Sequence, residues 1–384
     1  MHNLNNHNFR IMPQRWMKIL AFFTAATLLV SACKKSEFSK DEKLPETFST
    51  SLFISSQNQF LYALDPRTGA KQWEYYIGDH VEATPVVIGE FLFLPTTDSM
   101  LKIDAKRGKL VKKMWLANTV FTQFVSSPAV DGNNIIIGSL NDTMYSVNTV
   151  TENINWRFFA GGDIVSSPTI HNGQVIFAAN SKVYALDLAT GAMNWEFGAG
   201  AFTSSPVVSA PHVFIGSVDG KLYVLDVATG AARWDYDTKA QILSSPIVYG
   251  GNVIFGSNNA KLYCLDTAAR KERWIYETSD RIVSSPTADR NIVYFGSYDY
   301  YCYALDVIDG KEKWKFQTNA LIKSSPLVYN GVIYFGSHDK NMYAFDSTGV
   351  LHWKHNINGL IESSPIIWDL EKTFYPSISG MSQL

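Results

Sequence analysis

Cysteine is scarce, with three residues in 384, and no two are adjacent. A disulfide framework needs an even set of cysteines in closely spaced loops, so sulfur does not hold this fold together. Cys264 and Cys302 stand in equivalent strand-like runs of neighbouring repeats, where a thiol serves as a small apolar side chain. A bridge between them would need Cα atoms within about 7 Å. Excess basic charge is also missing: 33 Lys and Arg face 35 Asp and Glu. That excludes the basic stripe a phosphate backbone requires, and with it a nucleic-acid partner. No apolar run reaches the roughly 20 residues that span a bilayer as a helix. There is no nucleophile elbow, no Gly-rich phosphate loop and no His/Cys metal spacing. The eight histidines are scattered, and His338, in a hairpin loop, reads as a solvated surface residue. No catalytic residue, cofactor-binding residue or metal ligand is therefore assigned.

One short apolar stretch does stand out. Arg15 and Lys18 precede an uncharged run from Ile19 to Val30, and small residues Ser31 and Ala32 then lead to Cys33. A positive start, an apolar run of this length and a small-residue cleavage site define an export signal, here residues 1–32, with translation starting at Met1, Met12 or Met17. Val30-Ser31-Ala32-Cys33 resembles the bacterial lipobox. The resemblance implies a diacylglycerol on the Cys33 sulfur and a further chain on its amine; two or more acyl chains anchor stably. Within that resemblance to bacterial lipoproteins, the absence of Asp after Cys33 implies the outer rather than the inner membrane. Residues 33–48 are too polar to bury a core and read as a flexible tether. Removal of the signal leaves 30 basic against 35 acidic residues.

Residues 49–384 are built on repetition. Trp recurs at Trp73, Trp115, Trp156, Trp195, Trp234, Trp274, Trp314 and Trp353, every 39 to 42 residues. A Ser-Ser-Pro or a relative recurs with it, ending at Pro85, Pro128, Pro168, Pro206, Pro246, Pro286, Pro326 and Pro365. The unit reads SSPxV, VYFGSxD, LYALDxxTG, W. Four runs of five or six apolar residues, bounded by Gly, Asp and Asn, are strands rather than helices. Four strands per unit of about 40 residues, repeated about eight times, predict an all-β, eight-bladed β-propeller of four-stranded antiparallel blades. Seven units are continuous. The eighth combines Ser363 to Ile367 with Leu61 to Asp65 and Trp73, so that strands from both ends of the chain close the ring. Either Leu52–Ser55 or the run beyond Thr373 takes the second-strand place in that blade.

The segments ALDPRTGAKQW (63–73), ALDLATGAMNW (185–195), VLDVATGAARW (224–234) and ALDVIDGKEKW (304–314) resemble the tryptophan-docking motif of PQQ-like propellers. The resemblance implies that each Trp packs between adjacent blades, near the Gly-bearing turn of a neighbour. Glu152 and Arg270 stand where that Gly is expected, so their turns should be looser or strained. The repeat aspartates Asp65, Asp187, Asp226 and Asp306 suit Asx turns. With the lipobox, the architecture resembles the propeller lipoprotein of the outer-membrane β-barrel assembly machinery. This implies a non-catalytic, membrane-anchored assembly scaffold of the cell envelope with a protein partner, no cofactor and a monomeric ring. A PQQ-dependent quinoprotein oxidoreductase is the alternative within the same resemblance, although PQQ is not expected without the adjacent cysteines and Ca²⁺ ligands of that family. A surface-exposed glycan- or protein-binding lipoprotein is a third reading.

In a four-stranded meander, turns after strands two and four share one face, where the loops here vary most; variable loops on a rigid scaffold carry recognition. The residue before the Ser-Ser pair is Val125, Val165, Thr203, Leu243 and Val283 in five blades, but Glu82, Lys323 and Glu362 in three consecutive ones. These form a candidate charged arc for partner binding, or a local ion pair of little energetic value. Tyr298, Tyr300 and Tyr301 form a second candidate patch.

Overall fold

The computed structural model describes residues 48–114 and 123–370. They form eight four-stranded antiparallel sheets. Blade 1 joins Ile366–Asp369, as its first strand, to Thr50–Ser56, Phe60–Leu64 and Lys71–Tyr76. Blades 2 to 8 follow in chain order, and their first strands begin at Val86, Ala129, Thr169, Val207, Ile247, Thr287 and Leu327. The second-strand place in the closing blade belongs to Thr50–Ser56, whose Leu52 and Phe53 pair with Ile367 and Ile366.

Each blade shares an apolar core with both neighbours. Phe53 and Trp73 of blade 1 cluster with Leu92 and Ile103 of blade 2; Leu52 and Tyr62 of blade 1 cluster with Tyr334 and Trp353 of blade 8. Six further clusters join the remaining adjacent pairs, so the ring is closed. Burial on both faces explains why second and third strands read as unbroken apolar runs: in blade 7, Val293 to Gly296 and Cys302 to Leu305 are buried throughout. The outer strand, Glu312–Gln317, instead alternates exposed and half-buried residues, because its edge meets water. In blades 4, 6, 7 and 8 the turn between first and second strands takes positive φ at two successive residues, as at Asn172 (46°) and Gly173 (73°), the geometry of a tight hairpin.

Three devices repeat at the blade junctions. The first is the tryptophan dock. Trp73, Trp156, Trp195, Trp274, Trp314 and Trp353 each donate the indole N–H to a carbonyl of the next blade, at 2.8–3.1 Å. A β-bulge between third and outer strands precedes each of these residues, as at Ala304/Leu305, and helps aim the ring at its neighbour. The docking Gly cannot be replaced freely, since a Cβ on Gly310 would lie 2.7 Å from the Trp274 ring. The second device is a girdle of hydroxyls. Thr84, Ser127, Ser167, Ser205, Ser245, Ser285 and Ser325 each donate a backbone N–H to the Ser hydroxyl of the following blade, at 2.9–3.2 Å. The third is a close Gly–Ile contact: a Cβ on Gly296 would lie 2.2 Å from Cγ2 of Ile322 in blade 8.

The two departures from the docking motif show their cost. Glu152 and Arg270 hold φ of 60° and 54°, a region L-residues seldom adopt. The Trp234 N–H, which faces the Arg270 turn, is buried without a partner. Glu152 pairs with Lys112 of blade 2. Trp115, its expected docking partner, lies outside the described residues, as do Cys33, residues 1–32 and the run beyond Thr373.

Candidate functional site

The Ser-Ser-Pro segment presents the arc. In blade 8, Ile322 is buried beneath Gly296, and Ser324 is buried with its hydroxyl accepting the Gly336 N–H at 3.3 Å. In blade 1, Ile361 packs against Gly336 and the Ser363 hydroxyl donates to the Ser55 carbonyl at 2.9 Å. The intervening side chains, Lys323 and Glu362, are thereby held outward on the loop face. Val81 and Ala83, both buried, hold Glu82 in the same way.

The three predicted residues meet. Lys323 Nζ lies 2.7 Å from Glu362 Oε2 and 3.8 Å from Glu82 Oε2. Glu362 is the inner member, its side chain 13% exposed, whereas Glu82 is 58% exposed. His338 corrects the expectation of a solvated surface residue: it is 17% exposed, and its Nε2 lies 3.2 Å from Glu362 Oε1, without the alignment of a hydrogen bond. The His338 contact and the Lys323 ammonium hold the Glu362 carboxyl down at about 2, although burial opposes them. Burial works to lower the Lys323 pKa, but its bond and attraction to Glu362 outweigh this and raise it. The pair is part-buried, so it is screened less than an exposed ion pair.

The three tyrosines differ among themselves, and Tyr298 neighbours Lys323 of the arc. Tyr298 lies in the second-to-third turn of blade 7, and the Arg281 guanidinium stacks 4.3 Å from its ring centroid. Tyr300 closes that turn at φ 77° and is 46% exposed as a residue. Tyr301 starts the third strand, half-buried against Tyr303 and beneath Lys315. Sequence reasoning did not bring His338 and Arg281 to the arc. Aligning the residue after each FGS run, Tyr298 with His338, would have exposed the first.

The thiols of Cys264 and Cys302 are buried. Cys264 faces the core shared by blades 6 and 7, and Cys302 faces that of blades 7 and 8. They point into different interfaces and are unpaired. Burial pushes the Cys264 thiol up to about 12 and raises Cys302 as well. The repeat aspartates cap their own turns: Asp65 accepts the Arg67 N–H at 2.8 Å and Asp226 the Thr229 N–H at 2.9 Å. Among the described residues, no three His, Cys, Asp or Glu side chains converge as a metal-holding group.

A closed eight-bladed ring with indole docks is a PQQ-like propeller. The family described as outer membrane protein assembly factor BamB matches residues 103–236, 179–260 and 242–366, and the chain belongs to that family. The crystal structure of BamB from Moraxella catarrhalis aligns with a TM-score of 0.65 at 16% identity, covering 76% of this chain and 94% of that one. The computationally designed protein Ika8 aligns at 0.66 with 13% identity, over 76% and 94%. A europium-containing methanol dehydrogenase aligns at 0.62 with 12% identity, over 73% and 79%. These structures share the fold. A curated relative, the serine/threonine-protein kinase AfsK of Streptomyces griseus, is 28% identical over 133 residues, or 32% of this chain. The chain spans 16% of that protein's length.

Proposed function

We propose that this chain is a non-catalytic assembly scaffold of the bacterial cell envelope, a monomeric ring that binds a protein partner and no cofactor. One observation carries the reading. The docking devices recur around the ring, whereas charge before the Ser-Ser pair is confined to Glu82, Lys323 and Glu362, brought together on the loop face. Family membership supports a role in outer-membrane protein assembly. Cys33 anchors the ring through lipid, by preference to the outer membrane. The test is chemical crosslinking in membranes of the native host, comparing wild type with the combined Glu82→Val, Lys323→Val and Glu362→Val variant. Loss of the dominant crosslinked partner, with propeller circular dichroism intact, is expected; an unchanged pattern refutes the arc. Cys33→Ala should release the protein to the soluble envelope fraction.

A quinoprotein oxidoreductase is favoured by the fold shared with the methanol dehydrogenase. Adding PQQ and Ca²⁺ and reading cofactor absorbance separates it from the scaffold. Protease shaving of whole cells separates a surface-exposed binding protein from one that faces the periplasm.

A further inference from the structure

Tyr300 occupies a position that works against its own side chain. The equivalent turn residue is Gly220 in blade 5, Ala260 in blade 6 and Lys340 in blade 8, all at positive φ. A bulky aromatic there is a steric outlier, and such outliers concentrate where binding uses them. The ring has no aromatic or hydrogen-bonding partner among the described residues and the residue is 46% exposed, so the fold gains little from it. In the same turn Tyr298 carries the stacked guanidinium of Arg281, which is exposed, and no described carboxylate pairs with that guanidinium. Stacking spreads the guanidinium flat and leaves its edge donors open, the geometry that takes a carboxylate through two hydrogen bonds. From blade 7 to blade 2 the arc then runs from positive to negative: open Arg281, Lys323 bound to Glu362 at 2.7 Å, and exposed Glu82, which Lys323 reaches only at 3.8 Å.

Resting on the scaffold reading above, we propose that this face binds an extended polypeptide segment of the partner, with Tyr300 as apolar anchor. The segment presents an acidic side chain to Arg281 and a basic one to Glu82. Aromatic and Arg residues dominate protein interfaces energetically, and the polarity of the arc sets the direction in which the segment lies.

The probe is an array of random-sequence 12-residue peptides, overlaid with the full chain as wild type, Arg281→Glu and Tyr300→Ala. Wild type should select peptides with Asp or Glu beside an apolar residue and Lys or Arg further along in one direction. Arg281→Glu should exchange the acidic preference for a basic one, a reversal that misfolding cannot produce. Tyr300→Ala should weaken the selected peptides by about tenfold. An acidic preference that survives Arg281→Glu, Tyr300→Ala binding within about twofold of wild type, or no sequence selection at all overturns the proposal. A salt-sensitive dimer in sedimentation velocity, abolished by Arg281→Glu, assigns the face to a second copy and overturns it too. Any of these results leaves the membrane crosslinking test of the scaffold reading standing on its own.

Discussion

Gly310 closes the docking turn of blade 7 at φ 71°, beneath the indole of Trp274. In Gly310→Ala the new Cβ would lie 2.7 Å from Cδ2 and 2.8 Å from Cγ of that ring, so the indole must move. The left-handed conformation costs alanine about 1 kcal/mol. Moving the indole endangers its 2.8 Å bond to the Val307 carbonyl, and leaving that donor buried and unpaired costs about 1–3 kcal/mol. The stiffer unfolded chain returns roughly 0.5–1 kcal/mol, so a net loss of about 2 kcal/mol is expected. The same reasoning run backwards predicts a gain at Arg270. Glycine there removes a left-handed penalty of about 1–2 kcal/mol and adds a backbone-entropy cost of about 0.5–1 kcal/mol. It also lets the unpartnered Trp234 N–H reach the Thr267 carbonyl, the counterpart of Val307. Arg270→Gly should therefore stabilise by about 1 kcal/mol. Urea unfolding followed by tryptophan fluorescence reads both midpoints. A neutral Gly310→Ala, or a destabilised Arg270→Gly, would show that the docks do not hold the blades together.

Ser285→Ala leaves the Ser245 N–H without its 3.0 Å acceptor, a loss of about 1–2 kcal/mol; faster amide exchange at Ser245 than at Ser205 is the local signature. The Glu362 pKa is depressed from 4.5 to about 2, so its contribution is complete above pH 4.5 and disappears as pH falls towards 2. That contribution is on the order of 3 kcal/mol. Glu362→Gln should flatten the pH dependence of the urea midpoint in this window, and an unchanged acid limb would remove the arc from the stability balance. Cys264 and Cys302 should resist iodoacetamide at pH 8 in the native ring and react fully in urea, with mass spectrometry finding no bridge between them. Rapid native labelling would contradict their burial.

The blade number, the strand order and the tryptophan docks were legible because each depends on residues close in the chain. A turn of Asp-x-x-Thr-Gly makes its bonds within itself, and an apolar run buried on both faces announces itself by continuity. The strain at Arg270 was also visible, as a missing Gly in an otherwise regular column. The serine girdle was present in the motif but carried no label, because Ser127 and Ser167 bond to each other across a blade junction. His338 was misread for the same reason. Its own hairpin says surface, and only the packing of blade 1 against blade 8 places Glu362 over it.

The period, the strand order within the seven continuous blades and the six tryptophans that dock follow from the sequence alone, since turn chemistry and burial pattern act over a few residues. The ring decided the rest. Glu82 and Lys323 lie near opposite ends of the chain and face each other because closure brings blades 2, 1 and 8 side by side. Which cysteine faces which interface was settled likewise, by the stacking of whole blades. Contacts between blades are set by the packing of whole sheets around an axis, a geometry that no single repeat contains.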